Sequence, residues 1–171
     1  ITIIIIGYLQ RGISLTDIQT CLEEAAEISG IRVQWIVDLV RDSGNGRMLT
    51  LLNKIIELQC ESIVGITLGG SEHLFPSHHF SEVYKLARNH GLRLTIHAGE
   101  MLGSQSIWDA LLILGAERIG HGVRAIEDEE LVNYLVEHKI PLEVCPTSNV
   151  QLGIFPSYQA HPVEKLFDAG V

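Results

Sequence analysis

The segment Leu92–Glu100 reads LRLTIHAGE, a short apolar run that ends in a histidine and, three residues later, a glutamate. We predict a strand over Leu92–His97 because short runs rich in leucine and isoleucine are typical of strands covered on both faces. One predicted helix precedes this strand, from Ser77 to about Asn89, and another follows it and ends at Gly115. The segment therefore predicts one strand of a parallel α/β fold.

The same alternation of strand and helix continues in both directions along the chain. The predicted strands are Thr2–Ile6, Arg32–Asp38, Ser62–Leu68, Leu92–His97, Glu117–Gly120 and Pro141–Cys145. Their starts lie roughly 24–30 residues apart, which is the length of one strand–helix unit. The predicted helices run from about Ser14 to Ile28, from Arg47 to Leu58, from Ser77 to Asn89, and from Ser104 or Ser106 to Gly115, and two more open near Glu127 and His161. Six such units predict a parallel sheet with right-handed crossovers.

Two architectures fit six consecutive units. One is an open, doubly wound sheet, and the other is most of an eight-unit (β/α)₈ TIM-type barrel. The glycine-rich GxGxxG motif of dinucleotide-binding sheets does not follow the first strand, and Gly44-Asn45-Gly46 indicates a turn. With no shift in composition along the chain, we predict a single domain over residues 1–171.

Composition excludes several classes of protein. Apolar residues make up 46% of the 171 residues and the formal net charge is −9, which argues against a disordered chain and against a nucleic-acid partner. The longest apolar stretch, at the start, is far shorter than the ~20 residues of a membrane span. The three cysteines form no CxxC motif, which favours a reducing compartment such as the cytoplasm.

Both ends of the sequence fall inside the repeating pattern. The chain begins with an isoleucine within a predicted strand and ends directly after the helix-ending pair Ala169-Gly170. We therefore expect it to be a piece of a longer protein. A sheet of six units has two unpaired edge strands, so we also expect self-association through these open edges.

Chemically reactive residues follow four successive predicted strands. They are Gly69-Gly70-Ser71-Glu72, His97-Ala98-Gly99-Glu100, Gly120-His121-Gly122 and Cys145-Pro146-Thr147-Ser148-Asn149. The carboxyl ends of parallel strands meet at one edge, where ligands and catalytic groups bind in such folds. The pattern predicts an active site at this edge.

Each candidate residue also has a purely structural interpretation. His97 is a candidate zinc ligand, or a core histidine bonded to a backbone carbonyl. Glu100 is a candidate proton donor, or an acid that stabilises the first turn of the next helix. His121 lies between two glycines that leave room for a ligand, or it belongs to a simple turn. Cys145 is a candidate thiol nucleophile, or a small buried apolar residue, which is the interpretation that we predict. His78 and His79 are predicted to begin a helix.

Three strand-end motifs in order resemble the adenosine deaminase family. They are Leu94–Glu100 (LTIHAGE), Glu117–Gly122 (ERIGHG) and Leu142–Asn149 (LEVCPTSN), and the 24-residue step from His97 to His121 also matches. A weaker match covers Arg11–Leu15 (RGISL) and the ending from His161-Pro162 to Val171. The resemblance therefore extends over nearly the whole chain.

The resemblance implies a (β/α)₈ barrel with one zinc ion at its mouth and hydrolysis of the 6-amino group of adenosine to give inosine and ammonia. It implies that His97 is a zinc ligand, that Glu100 protonates the purine ring nitrogen, and that His121 orients the zinc-bound water. Gly70 matches a glycine whose backbone amide contacts the purine, although Ser71 replaces the usual aspartate. The implied partner is a small purine nucleoside; adenine and N6-modified adenosine nucleotides are alternatives, as is a non-catalytic scaffold.

Two motifs of this family are absent from the sequence. The family's first strand carries an HxH pair that supplies two zinc ligands, and its eighth strand carries an Asp-Asp pair that supplies another. Neither pair occurs here. His97 alone cannot hold zinc in a tetrahedral site, so we expect the remaining zinc ligands outside this chain and expect the isolated chain to be inactive.

Overall fold

Six parallel strands lie side by side in the order in which they occur along the chain. The computed structural model describes residues 2–5, 12–30 and 33–171. The strands are β1 (Thr2–Ile5), β2 (Trp35–Asp38), β3 (Ile63–Thr67), β4 (Arg93–Ala98), β5 (Arg118–His121) and β6 (Leu142–Glu143). Each strand pairs with the next one in parallel register. A doubly wound sheet reverses its strand order at a switch point, so the sequential order identifies an incomplete (β/α)₈ barrel.

The helices follow the strands as the sequence predicts. They are α1 (Leu15–Ser29), α2 (Gly44–Leu58), α3 (Ser81–Asn89), α4 (Ser104–Trp108), α5 (Glu129–Glu137), α6 (Pro146–Gln151) and α7 (Val163–Ala169). In α1, Ser14 and Asp17 form a reciprocal capping box, and Gly30 ends the helix in the left-handed conformation. This is the arrangement expected of serine before a helix and glycine after it.

Some boundaries differ from the predictions. The predicted positions Ile6, Arg11 and Arg32 lie outside the described residues. The helix after β4 widens at its end into a π-helix over Asp109–Leu114. Arg88 donates a hydrogen bond to the Leu114 carbonyl oxygen, with an N–O distance of 2.6 Å, which satisfies one acceptor at this helix end.

The last predicted strand is shorter than expected, and this changes the environment of Cys145. Only Leu142–Glu143 pair as a strand, and the chain turns into α6 at Pro146. The prediction that Cys145 is buried was wrong: the residue is exposed. The reason is its place between a two-residue strand, which pairs on one side only among the described residues, and the first turn of α6.

Apolar side chains between the sheet and the helices form one continuous core. Fully buried members from the strands and their ends include Val37, Leu39, Ile66, Leu68, Ile96 and Ile119, and those from the helices include Met48, Leu52, Val83, Tyr84 and Leu131. The Tyr84 hydroxyl donates to the Thr95 carbonyl oxygen in β4 at 3.2 Å. This packing holds the carboxyl ends of β3, β4 and β5 in fixed relative positions. None of the helices among the described residues is both long and apolar enough to cross a bilayer.

Candidate active site at the carboxyl ends of the strands

Three of the predicted site residues meet where β4 and β5 end. His97 lies in β4 and pairs with Gly120, while Ala98 pairs with His121 at the end of β5. The imidazole rings of His97 and His121 meet edge to face, with centroids 4.9 Å apart. Glu100 follows β4, and its Oε1 atom lies 3.3 Å from Nδ1 of His121. The two histidines and the glutamate therefore form one cluster.

The two glycines beside His121 allow close packing on either side of it, and Gly120 makes room for the His97 ring of this cluster. A side chain at Gly120 would overlap the His97 ring, and a Cβ at Gly122 would lie 2.6 Å from a methyl group of Leu142. His121 itself has a φ angle of 64°, in the left-handed region where residues other than glycine are uncommon, although histidine, asparagine and aspartate occur there more often than the rest. Such strain persists where surrounding structure enforces it, and it is concentrated at functional sites.

His97 is suited to bind a metal as a neutral ligand. Burial, together with the positive charges of the nearby His121 and Arg41, lowers the pKa of His97 to about 4. The ring is therefore uncharged at neutral pH, as metal binding requires. Within the described residues the ring contacts His121 but makes no hydrogen bond, so the alternative of a core histidine bonded to a carbonyl is not found there.

The residues present fit one position of a zinc site and no more. The described parts of the chain hold no group of three or more His, Cys, Asp or Glu side chains that could bind a metal ion together. Structural and catalytic zinc sites take at least three protein ligands. His97 could thus supply one imidazole, and the other ligands would come from outside residues 2–5, 12–30 and 33–171.

Glu72 positions the turn after β4, a role that the sequence did not reveal. Its side chain is buried and accepts hydrogen bonds from the backbone amides of four successive residues, Gly99–Leu102, at 2.7–3.2 Å. It also accepts one from the Ser106 hydroxyl. One carboxylate therefore fixes the turn that carries Glu100. The sequence signal was only an acid after Gly69-Gly70, with no indication of what it binds.

Arg41 holds the end of β4, just before this turn. The side chain is completely buried, and its guanidinium donates to the carbonyl oxygens of Phe75, at 2.7 Å, and of His97. It also donates to the Ser77 hydroxyl. Burial lowers the pKa of Arg41, while the negative charge of Glu72 acts in the opposite direction. A lone arginine after β2 gave no signal in the sequence.

Asn149 joins Glu100 to the segment after β6. The asparagine is completely buried, and its Nδ2 atom donates to Oε1 of Glu100 at 2.9 Å. Its Oδ1 atom lies 3.1 Å from Nε2 of His161. The motif that contains Asn149 was noticed in the sequence, but its spacing could not show that the side chain reaches Glu100. The alternative of Glu100 as only a first-turn acid does not account for this contact.

Gly70 lies at the same edge, in a turn held by Asp42. Its φ angle is 92°, and a side chain there would overlap the Asp42 carboxylate. The backbone amide and hydroxyl of Ser71 both donate to Asp42, at 2.9 and 2.6 Å, and the hydroxyl contact is the main cause of the lowered pKa of Asp42. Local geometry therefore requires glycine at this position, and contact with a purine remains a prediction.

Two other histidines lie outside this cluster. His78 and His79 belong to a short 3₁₀ helix over Ser77–Phe80, as the sequence predicts for a helix start. Nδ1 of His78 lies 3.0 Å from Oδ2 of Asp109 at the surface.

Comparison with known proteins places these features in context. The sequence model of the family described as adenosine deaminase matches residues 8–171. An adenosine deaminase from Shewanella denitrificans is 41% identical over 141 residues, which cover 82% of this chain and 42% of that protein. An adenine deaminase from Agrobacterium fabrum is 40% identical over 147 residues, which cover 86% of this chain and 45% of that protein. The chain thus spans less than half the length of these relatives.

Solved structures show the same fold. An adenine deaminase from Arthrobacter aurescens superimposes with a TM-score of 0.90 and 31% identity, over 98% of this chain and 53% of that one. The N6-methyl-AMP deaminase from Arabidopsis thaliana superimposes with a TM-score of 0.68 and 25% identity, over 80% of this chain and 40% of that one.

Proposed function

Because the chain belongs to the adenosine deaminase family, we propose that it forms the central part of an enzyme that hydrolyses the exocyclic amino group of adenosine or a related aminopurine. The observation that carries the proposal is the cluster of His97, Glu100 and His121 over the ends of β4 and β5. Hydrolytic deamination needs a proton donor beside the ring and a base beside the attacking water, and the cluster offers a carboxyl group and an imidazole for these tasks.

Glu100 is the proposed acid. It donates a proton to the ring nitrogen next to the carbon under attack, which allows that carbon to accept the electron pair of water. Its side chain is only 17% exposed, so little water competes for the proton. His121 is the proposed base, which orients the attacking water and accepts its proton. Transfer of that proton from His121 to the amino group then allows the carbon–nitrogen bond to break. Ammonia leaves, and the oxygen of the attacking water stays on the ring.

Zinc is the proposed cofactor, and His97 is the residue of this chain that would bind it. The neutral state of His97 and the absence of a hydrogen bond to its ring among the described residues support this assignment. A zinc ion in such a site lowers the pKa of bound water toward ~7 and so supplies a nucleophile at neutral pH. The remaining ligands are proposed to lie outside this chain.

The substrate is proposed to be a small purine, with adenosine as the first candidate. The similarity to an adenosine deaminase supports this choice. Adenine is the second candidate, because one relative of comparable identity and the superimposed Arthrobacter structure are adenine deaminases. An N6-modified nucleotide is a third, by likeness to the Arabidopsis enzyme. The three free cysteines support a cytoplasmic location.

The test is a deamination screen with the whole protein that contains this chain, supplied with zinc. Adenosine, adenine, AMP and N6-methyl-AMP are offered separately, and ammonia release is measured. We expect turnover of one of them, and a Glu100→Gln variant should lose about 10²–10⁴-fold in rate because the acid is removed. Binding of purines without release of ammonia would instead indicate a non-catalytic scaffold and would contradict the proposal.

A further inference from the structure

We propose that Asn149 and His161 form a positioning pair that holds Glu100 and determines which of its oxygens carries the proton. This inference rests on the proposed function of Glu100. Both residues are buried, with exposed fractions of 0% for Asn149 and 5% for His161. They belong to the segment after β6, whereas Glu100 follows β4.

The orientation of the pair follows from one backbone contact. The amide of Val163 donates to Nδ1 of His161 at 3.2 Å, so this nitrogen carries no proton. Burial lowers the pKa of His161, and the neutral ring therefore has its proton on Nε2. That proton is donated to Oδ1 of Asn149, 3.1 Å away. The amide oxygen of Asn149 thus faces His161, and the NH₂ group faces Glu100.

The NH₂ group of Asn149 donates a hydrogen bond to only one of the two carboxyl oxygens of Glu100. It donates to Oε1 of Glu100 at 2.9 Å and lies 3.4 Å from Nδ1 of His121. An oxygen that accepts a hydrogen bond from an amide is disfavoured as the site of the acidic proton, because the two hydrogens would face each other. The proton of a neutral Glu100 is therefore held on Oε2, the oxygen that makes no hydrogen bond within the described residues.

The backbone around Asn149 is fixed as well. Its amide donates to the Cys145 carbonyl at 3.0 Å, and its own carbonyl accepts from Ile154 at 2.9 Å. The Phe155 ring packs against the His161 ring, with centroids 4.9 Å apart. The asparagine side chain thus has little freedom to turn, and a buried network in which every member is bonded is rigid.

The first experiment compares the kinetics of matched variants of the whole protein. Asn149→Ala should lower kcat by about 100-fold with little change in KM, since small displacements of a catalytic group have effects of that order. His161→Leu should lower kcat by roughly 10-fold, whereas His161→Gln keeps a donor near the Nε2 position and should restore most of the rate. In the Asn149→Ala background, His161→Leu should cost nothing further, because the two residues act in series.

An exposed asparagine provides the control. Asn133 lies on the outer face of α5, and Asn133→Ala should leave kcat and KM unchanged. Equal kcat values for wild type and Asn149→Ala, or additive losses in the double variant, would overturn the proposal. A fall in thermal stability without a change in kcat would assign the pair a purely structural role.

The second experiment does not depend on turnover. In protein labelled with ¹⁵N-histidine, the NMR signals of His161 should show a protonated Nε2 and an unprotonated Nδ1. The side-chain amide signals of Asn149 should shift when Glu100 is changed to Ala and stay in place in a Glu82→Ala variant. A proton on Nδ1 of His161 would overturn the positioning role. So would Asn149 amide signals that do not shift in the Glu100→Ala variant. If wild type deaminates no purine, the proposed function fails, and these signals alone decide whether the pair holds Glu100.

Discussion

The α-carbon of Gly120 in β5 faces the imidazole ring of His97 in β4, and a methyl group at position 120 would overlap the ring. The glycine therefore does more than allow a turn beside His121. It creates the space in which the proposed zinc ligand lies, and the position of His97 depends on the absence of a side chain on the neighbouring strand.

Gly120→Ala should displace the His97 ring. We expect a loss of about 1–3 kcal/mol in the free energy of unfolding, as is usual for an overpacked core, together with a fall in the zinc content of the whole protein. Urea unfolding and elemental analysis measure the two effects. Gly46→Ala is the control, because that helical glycine has no atoms within 4 Å of the added carbon. Unchanged zinc content in Gly120→Ala would show that the overlap is relieved without moving His97.

Glu72→Gln should loosen the turn that carries Glu100. The substitution replaces an acceptor by an NH₂ group that faces backbone N–H groups, so we expect a loss of about 1–3 kcal/mol in the free energy of unfolding. The deamination rate should fall as well. Glu82→Gln, at an exposed position in the first turn of α3, should change stability by no more than about 0.5 kcal/mol. Equal stability of the two variants would contradict the role given to Glu72.

Asp128 should make stability depend on pH in the acidic range. The indole of Trp108 donates to its Oδ2 at 3.0 Å and the Leu131 amide to its Oδ1 at 3.1 Å, and these bonds lower the pKa of Asp128. A carboxyl group with a lowered folded pKa stabilises the fold above its unfolded pKa of about 3.9, and this contribution is lost as the pH falls through the folded value.

The measurement is the melting temperature between pH 7 and pH 3, followed by tryptophan fluorescence. Asp128→Ala should lower the melting temperature at pH 7 and flatten its fall toward pH 3. Asp168→Ala, at an exposed site in α7, should keep the wild-type curve. Parallel curves for wild type and Asp128→Ala would mean that the contacts to Trp108 and Leu131 do not favour the charged form.

The 171-residue chain by itself should neither retain stoichiometric zinc nor deaminate adenosine. Its described residues provide one imidazole and no group of three metal-binding side chains, and one ligand does not hold zinc against water. Elemental analysis after dialysis and an ammonia assay test this. The whole protein serves as the positive control. One zinc ion per isolated chain, with turnover, would contradict the prediction.

The isolated chain should also self-associate. In the described part of the fold, β1 pairs only with β2, and β6 pairs only with β5, so each outer strand presents unpaired backbone groups. Light scattering should report species larger than a monomer at micromolar concentration. A single monomeric species over a wide concentration range would count against pairing through these edges.

The sequence predicted the strands and the meeting of three residues for a simple physical reason. Short apolar runs at regular spacing predict β3, β4 and β5, and the ends of neighbouring parallel strands must lie together. His97 and His121 therefore had to be close once their strands were known. The choice between barrel and open sheet could not be made from the runs alone, because it depends on strand order.

Contacts between side chains and residues far away in the chain could not be predicted from the sequence. Glu72 binds amides 27 to 30 residues away, and Asn149 binds a carboxylate 49 residues away. An acid in a turn and an asparagine in the first turns of a helix are also common without such partners. The error at Cys145 has a similar origin, since an apolar run cannot show where strand pairing stops.

The buried guanidinium of Arg41 limits how this protein can vary. Its planar group reaches two carbonyl oxygens and a hydroxyl at once, and a lysine ammonium could not reproduce that fork. A substitution at residue 41, even lysine for arginine, would thus loosen the end of β4, where the carbonyl oxygen of His97 accepts a hydrogen bond from Arg41. Such a variant would retain every residue assigned to the proposed chemistry and still lose the hydrogen bonds that hold the end of β4 in place.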